Sequence, residues 1–235
     1  LSFDSSFLKE QALQTAASLS PDAPTLPAPK KREIKPFQAF RKVYHVVSAS
    51  IMPLVYLYNP LHQSEADLRH TLLWVMAPAF LGFFLLDWLR LNDERFNSQF
   101  MKVFSVLIRR TEQNKYNGAT FLTFAFTLVI FLFPRMEAIT AMLFLSLGDT
   151  AAELGGLYFG RLKIFRRSAE GTFSFFLVAF AIAWAMLGDA RVAFLSAAAG
   201  ALIELFSFEV DDNLTVPIGS ACAVWIIVSL FQTSH

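Results

Sequence analysis

Cysteine is almost missing from this chain of 235 residues. Cys222 stands alone, which excludes an internal disulfide, and its place in an apolar run fits a small buried hydrophobe. Histidine is scarce too, and His45, His62, His70 and His235 have no spacing that would make a zinc site. No GxxxxGK[ST] loop, HRD or DFG triplet, or GxSxG elbow occurs, so any nucleotide site is of a non-P-loop type. Charge of one sign is lacking: the formal charge is +1 and the pI about 8.1, and no nucleic-acid partner is expected. The first 35 residues lack a charged segment followed by an apolar stretch and a small-residue cleavage site, so a signal peptide is not expected. The period-2 alternation of a lipid-facing barrel is absent as well.

What is present is apolar. Hydrophobic residues make up 55% of the chain, Phe alone accounts for 26 positions, and the mean hydropathy is +0.47. A soluble domain does not carry that much apolar surface. The reading is all-α: a polytopic integral membrane helical bundle of about seven transmembrane helices, since a helix satisfies its own backbone in hydrocarbon. The candidate spans are Val43–Tyr58, Thr71–Leu89, Gly118–Phe133, Glu137–Phe159, Thr172–Leu187, Arg191–Phe208 and Leu214–Phe231. Several fall short of the ~20 residues a perpendicular helix needs. Before them, residues 1–36 form a polar arm, read as flexible and cytosolic, with a Pro-rich linker at Ser20–Pro29; residues 37–235 form the transmembrane domain.

Charge placement supports this topology. With the N-terminus in the cytosol, 17 of the 20 Lys and Arg fall on the cytosolic side, and only Arg69, Arg135 and Arg191 on the other. The FEVDDN loop then faces the cytosol too, placing Glu209, Asp211 and Asp212 on the same side as the basic loop after the fourth span.

Asp149, Glu153 and Glu204 sit where hydrocarbon should exclude them, at a cost on the order of 3 kcal/mol each. Asp149 and Glu153 are four apart on one helix face, and both staying ionised calls for a cation between them. Gly148, Ala152, Gly156 and Gly160 make a small-residue stripe that lets another helix approach. Next come Arg161, Lys163, Arg166 and Arg167, suited to phosphates, then Ser168, Glu170, Gly171 and Thr172, which open a helix whose free N–H groups favour anions. Oxygen ligands for Mg²⁺, cations for a polyphosphate and a group to orient a hydroxyl are the parts of a phosphoryl-transfer site. Glu204 is left without a role.

Five segments in order carry a family resemblance: RKxxH at Arg41, Lys42 and His45; NGAT at Asn117, Gly118, Ala119 and Thr120; GDxxAxxxGxxxG from Gly148 to Gly160; RRSAEGT from Arg166 to Thr172; and DNLTVP from Asp212 to Pro217. The chain resembles the CTP-dependent lipid kinases, the group containing dolichol kinase, phytol kinase and the fungal-type CTP-dependent diacylglycerol kinase. Arg166 and Arg167 replace the usual lysines, and Ala169 stands where a larger residue is more common.

The resemblance implies an Mg²⁺-dependent enzyme that transfers the γ-phosphoryl group of CTP to the hydroxyl of a membrane lipid alcohol, a polyprenol, phytol or diacylglycerol, at a cytosolic site. In that reading Asp149, Glu209, Asp211 and Asp212 surround the metal, and Asp149, Glu153 and Glu170 are the catalytic candidates, with either glutamate taking the hydroxyl proton. Arg41, Lys42, His45, Asn117, Gly118, Arg161, Lys163, Arg166, Arg167, Ser168, Gly171, Thr172 and Asn213 line the nucleotide. Two alternatives stay open: a CTP:phosphatidate cytidylyltransferase, which would release pyrophosphate rather than CDP, and an ion-coupled transporter that uses the mid-membrane acids. The acceptor lipid and a homo-oligomeric state are also left open.

Overall fold

The computed structural model describes residues 36–104, 115–165, 167–207 and 210–232, with side chains from Lys42 onward. The expected N-terminal arm lies outside the described residues. The elements in order are α1 (Pro36–Tyr58), α2 (Glu65–Asn92), α3 (Glu94–Phe104), α4 (Gly118–Leu132), α5 (Arg135–Phe159), β1 (Lys163–Ile164), β2 (Arg167–Ser168), α6 (Ala169–Leu187), α7 (Ala190–Phe206) and α8 (Asp212–Gln232). The only strands among the described residues are β1 and β2, a short antiparallel hairpin pairing Lys163 with Ser168 and Ile164 with Arg167. The protein is therefore all-α, as expected.

Among the described residues, four helices, α2, α5, α6 and α8, are long and apolar enough to cross a membrane; α4 is apolar but shorter. Length and composition by themselves account for four of the about seven expected crossings. The large apolar side chains left exposed on these helices, among them Trp74, Phe131, Leu177, Trp184 and Trp225, fit a lipid-facing surface, and this is a membrane protein. Cys222, expected inside, is exposed on α8 among them.

The helices alternate in direction, and polar contacts tie their ends together. At one end, Arg135 donates to the Tyr56 and Leu57 carbonyls at 2.8 and 2.9 Å, and Arg69 to the Phe133 carbonyl at 2.9 Å. Two of the three arginines expected on the far side thus satisfy the last carbonyls of α1 and α4, where a helix presents its negative end. At the opposite end, helix starts are capped by short polar side chains. Asn117 opens α4, and Ser168 opens α6 by accepting the Gly171 N–H at 3.1 Å.

Helix α5 is the centre of the bundle: 72% of its apolar window is buried, against 11% for α2. One wide, π-helical turn at Phe144–Asp149 interrupts it, a local unwinding that often re-aims a side chain at a functional position. Phe144 and Phe175 meet edge to face there, 6.1 Å apart at 78°. Gly148 lies under Phe175 and Gly200 under Phe144, where a Cβ would come within 2.9 and 2.8 Å of the rings.

The α5–α6 seam depends on further glycines. A Cβ on Gly155 would lie 2.1 Å from Ser174 Oγ, and one on Gly171 would lie 2.7 Å from the Ala152 carbonyl oxygen. Rotating the serine hydroxyl does not relieve the first clash, since the added carbon would also lie 2.6 Å from Ser174 Cβ, and a helix carbonyl cannot move aside for the second. Gly171→Ala is therefore expected to lower stability by about 1–3 kcal/mol, seen as a lower melting temperature in detergent. Gly82→Ala, with nothing within 4 Å of the added carbon, is the control and should keep or slightly raise the melting temperature.

Candidate active site

The hairpin leaves the C-terminal end of α5 after Gly160, and its second strand carries Arg167 back over the bundle. There the guanidinium meets carboxylates from three helices. Arg167 Nη2 lies 2.7 Å from Asp212 Oδ1 at the start of α8 and Nη1 lies 3.1 Å from Glu204 Oε1 near the end of α7. Asp149 Oδ1, on the wide turn of α5, is 3.8 Å from Nη1. Burial works to lower the Arg167 pKa, but Asp212, Glu204 and Asp149 outweigh it and hold the value above normal, so the side chain stays charged.

Thr172, on the first turn of α6, donates from Oγ1 to Glu204 Oε2 at 3.2 Å. One turn beyond Asp149 on α5, Glu153 pairs with Lys42 of α1 at 3.1 Å. Asp149, Glu153, Glu204 and Asp212 thus lie close to Arg167 and Lys42 at this end of the bundle.

Asp149 is 7% exposed, and its Oδ1 accepts no hydrogen bond. A buried carboxylate oxygen with no donor is costly unless a cation completes it. The described residues hold no nest of three or more metal-ligating side chains. Mg²⁺ usually takes one or two carboxylates and draws its remaining ligands from water and substrate phosphates. Asp149 and Asp212, which both approach Arg167, are the carboxylates such an ion would use here.

Other expected site residues have different partners. Asn117 is tied up structurally: its side-chain oxygen accepts the Ala119 and Thr120 N–H groups at 2.8 and 3.1 Å, and its own backbone N–H and side-chain nitrogen donate to Asp87 at 2.8 and 3.0 Å. Gly118 follows it as the first residue of α4. Glu170 accepts the backbone N–H groups of Arg161 and Leu162 at 3.0 and 3.2 Å, clamping the hairpin base. Asp211 caps α8 by accepting the Asn213 N–H at 2.9 Å, and Asn213 is buried beside it. Arg161 and Lys163 are exposed on the hairpin, and His45 lies one turn beyond Lys42 on α1. Arg166, Glu209 and the Arg41 side chain lie outside the described residues.

Three residues that the structure ties into polar networks have no role assigned from sequence. Glu204 was noticed only as an acid in an apolar run; the structure joins it to Arg167 and Thr172. Asp87 and Arg90 were missed, although an acid and a base three residues apart near the end of an apolar helix are a visible signal.

Proteins that resemble the chain over most of its length include the following three. An uncharacterized protein of Rickettsia prowazekii is 29% identical over 199 residues, covering 80% of this chain and 93% of that protein. The CTP-dependent diacylglycerol kinase 1 of Saccharomyces cerevisiae is 26% identical over 223 residues, 82% of this chain and 74% of the relative. The enzyme of the same name from Schizosaccharomyces pombe is 28% identical over 171 residues, 64% and 77%. The chain is a distant relative of CTP-dependent diacylglycerol kinases. No protein-family model matches it, and no solved structure does. The named relatives support the diacylglycerol branch of the expected resemblance; none of the three is named for dolichol or phytol.

Proposed function

We propose that the protein is a CTP-dependent, Mg²⁺-dependent lipid kinase that phosphorylates the hydroxyl of a membrane lipid alcohol, with diacylglycerol as the first acceptor to test. The observation that carries this reading is the convergence of Asp149, Glu204 and Asp212 from three helices on the one guanidinium of Arg167. Similarity to the yeast diacylglycerol kinases supports the choice of CTP and of a lipid acceptor. In this reading all seven long helices cross the bilayer, with the Arg167 end facing the cytosol.

Asp149 and Asp212 would hold Mg²⁺, which neutralises the β- and γ-phosphates when bound. Arg167 presents a planar pair of N–H donors that matches phosphate oxygens, and Lys163 and Arg161 add charge from the exposed hairpin. The acceptor oxygen bonds to the γ-phosphorus as the bond to the β-phosphate oxygen breaks, giving a lipid monophosphate and CDP. Glu153 is the better placed of the two glutamates to take the hydroxyl proton, since it lies one helical turn from Asp149, whereas the Glu170 carboxylate already accepts two backbone N–H groups. A loose transition state asks little of that base, so positioning and charge carry most of the catalysis.

The test is purified protein in lipid with CTP labelled at either the α- or the γ-phosphate, offered diacylglycerol, phytol, a polyprenol and phosphatidate in turn. The expected result is γ-label in the lipid product and release of CDP. Transfer of α-label to phosphatidate with release of pyrophosphate would instead identify a cytidylyltransferase, and absence of nucleotide turnover with every acceptor would refute the proposal.

A further inference from the structure

We propose that Arg167 makes this site selective for a metal–triphosphate complex over the bare divalent cation: it occupies the cation position among three carboxylates until a polyphosphate draws it away. The inference deepens the kinase reading and rests on it for the identity of the ligand.

The argument starts from one shared atom. Arg167 Nη2 lies 2.7 Å from Asp212 Oδ1, the shortest of its three carboxylate contacts. A magnesium ion on the same oxygen would sit at about 2.0–2.1 Å. Both cations would then crowd one oxygen a few ångströms apart, in a setting that screens them less than water does. Nη1 meanwhile lies 3.1 Å from Glu204 and 3.8 Å from Asp149, so the guanidinium also fills the space between the two proposed metal-binding aspartates.

Bare metal entering this cluster must therefore push a half-buried, charged arginine off its partners and supply it with nothing in return. A triphosphate changes that balance. Its oxygens give the guanidinium a bidentate partner as good as the one it leaves, while the freed carboxylate oxygens take the metal that travels with the phosphates. Placement favours such an exchange, because Arg167 stands on a half-buried two-residue strand of a short hairpin whereas its carboxylate partners are fixed on helices. Glu204 gives the parked arginine an anchor that is itself braced by Thr172.

The experiment measures Mn²⁺ binding to the full chain in nanodiscs by electron paramagnetic resonance, with and without inorganic triphosphate, and needs neither acceptor lipid nor turnover. The wild-type protein should bind Mn²⁺ weakly alone and about tenfold or more tightly once triphosphate is added. Arg167→Gln should bind bare Mn²⁺ about tenfold more tightly than wild type and gain little from triphosphate. Arg167→Lys, which keeps the charge without the planar fork, should still resist bare Mn²⁺ and gain less than wild type from triphosphate; it serves as the decisive variant if the glutamine form does not melt cooperatively. Equal bare-metal affinity in wild type and Arg167→Gln, or wild-type coupling in Arg167→Lys, would overturn the proposal. Failure of the kinase reading would show separately, in the labelled-product assay.

Discussion

Asp149→Asn is expected to reduce turnover by about three orders of magnitude, equivalent to roughly 4 kcal/mol of transition-state stabilisation, and to leave the protein as stable as wild type. The two halves of that expectation have different causes. Asp149 Oδ1 is buried and accepts no hydrogen bond, and its nearest cation is 3.8 Å away. An amide of the same shape therefore gives up little that holds the fold together and removes a buried negative charge that is only partly compensated. The same change deletes one of two oxygens proposed to hold the metal.

Asp212→Asn should lose comparable activity but also lower the melting temperature, because Asp212 makes the 2.7 Å contact that fixes Arg167. Turnover of labelled CTP and thermal melts on both variants check the contrast. Activity above a tenth of wild type in Asp149→Asn would remove that residue from the metal site.

Much of this site is legible in the sequence because hydrocarbon makes charge conspicuous. Asp149, Glu153 and Glu204 stand out in apolar runs, and the basic cluster after them has an obvious preference for phosphate. What the chain order does not show is which charges meet. Lys163 and Arg167 are alike by charge, and it is the hairpin, pairing Ile164 with Arg167, that carries Arg167 over the cluster and leaves Lys163 exposed. Glu170 and Asn117 look like site residues for a related reason: capping and clamping use the same oxygen and amide groups as ligand binding, and spacing alone does not separate the two uses.

The glycines read more directly. The stripe does let a helix approach: Gly148 lies under Phe175 of α6, Ala152 faces Gly171, and a Cβ on Gly156 would come 2.8 Å from Ser168 Oγ at the start of α6. Gly155, outside the four-residue repeat, makes a further close approach to Ser174, which spacing alone does not show.

Asp87→Ala should be more damaging to the fold than any substitution at the cluster, costing about 3–5 kcal/mol. Asp87 and Arg90 are fully buried at the end of α2, 2.9 Å apart. The carboxylate also accepts the Asn117 backbone N–H at 2.8 Å, the Asn117 side-chain nitrogen at 3.0 Å and the Thr120 hydroxyl at 2.6 Å. Arg90 reaches on to the Lys115 carbonyl and lies over the Phe100 ring of α3, 5.9 Å from its centroid. Removing the acid strands a buried guanidinium and three donors at once.

Breaking one partner of a buried pair costs far more than removing both, so Asp87→Leu combined with Arg90→Leu should recover part of the loss. Asp87→Asn, which keeps an acceptor oxygen, should fall between the single alanine and wild type. Unfolding in detergent measures all three. Kinetics then separate structure from ligand contact at Asn117: if its bonds to Asp87 are what matter, the protein that remains folded in Asp87→Asn keeps the wild-type KM for CTP. A raised KM in folded Asp87→Asn would show that the Asn117 turn touches the nucleotide as well as the helix it caps.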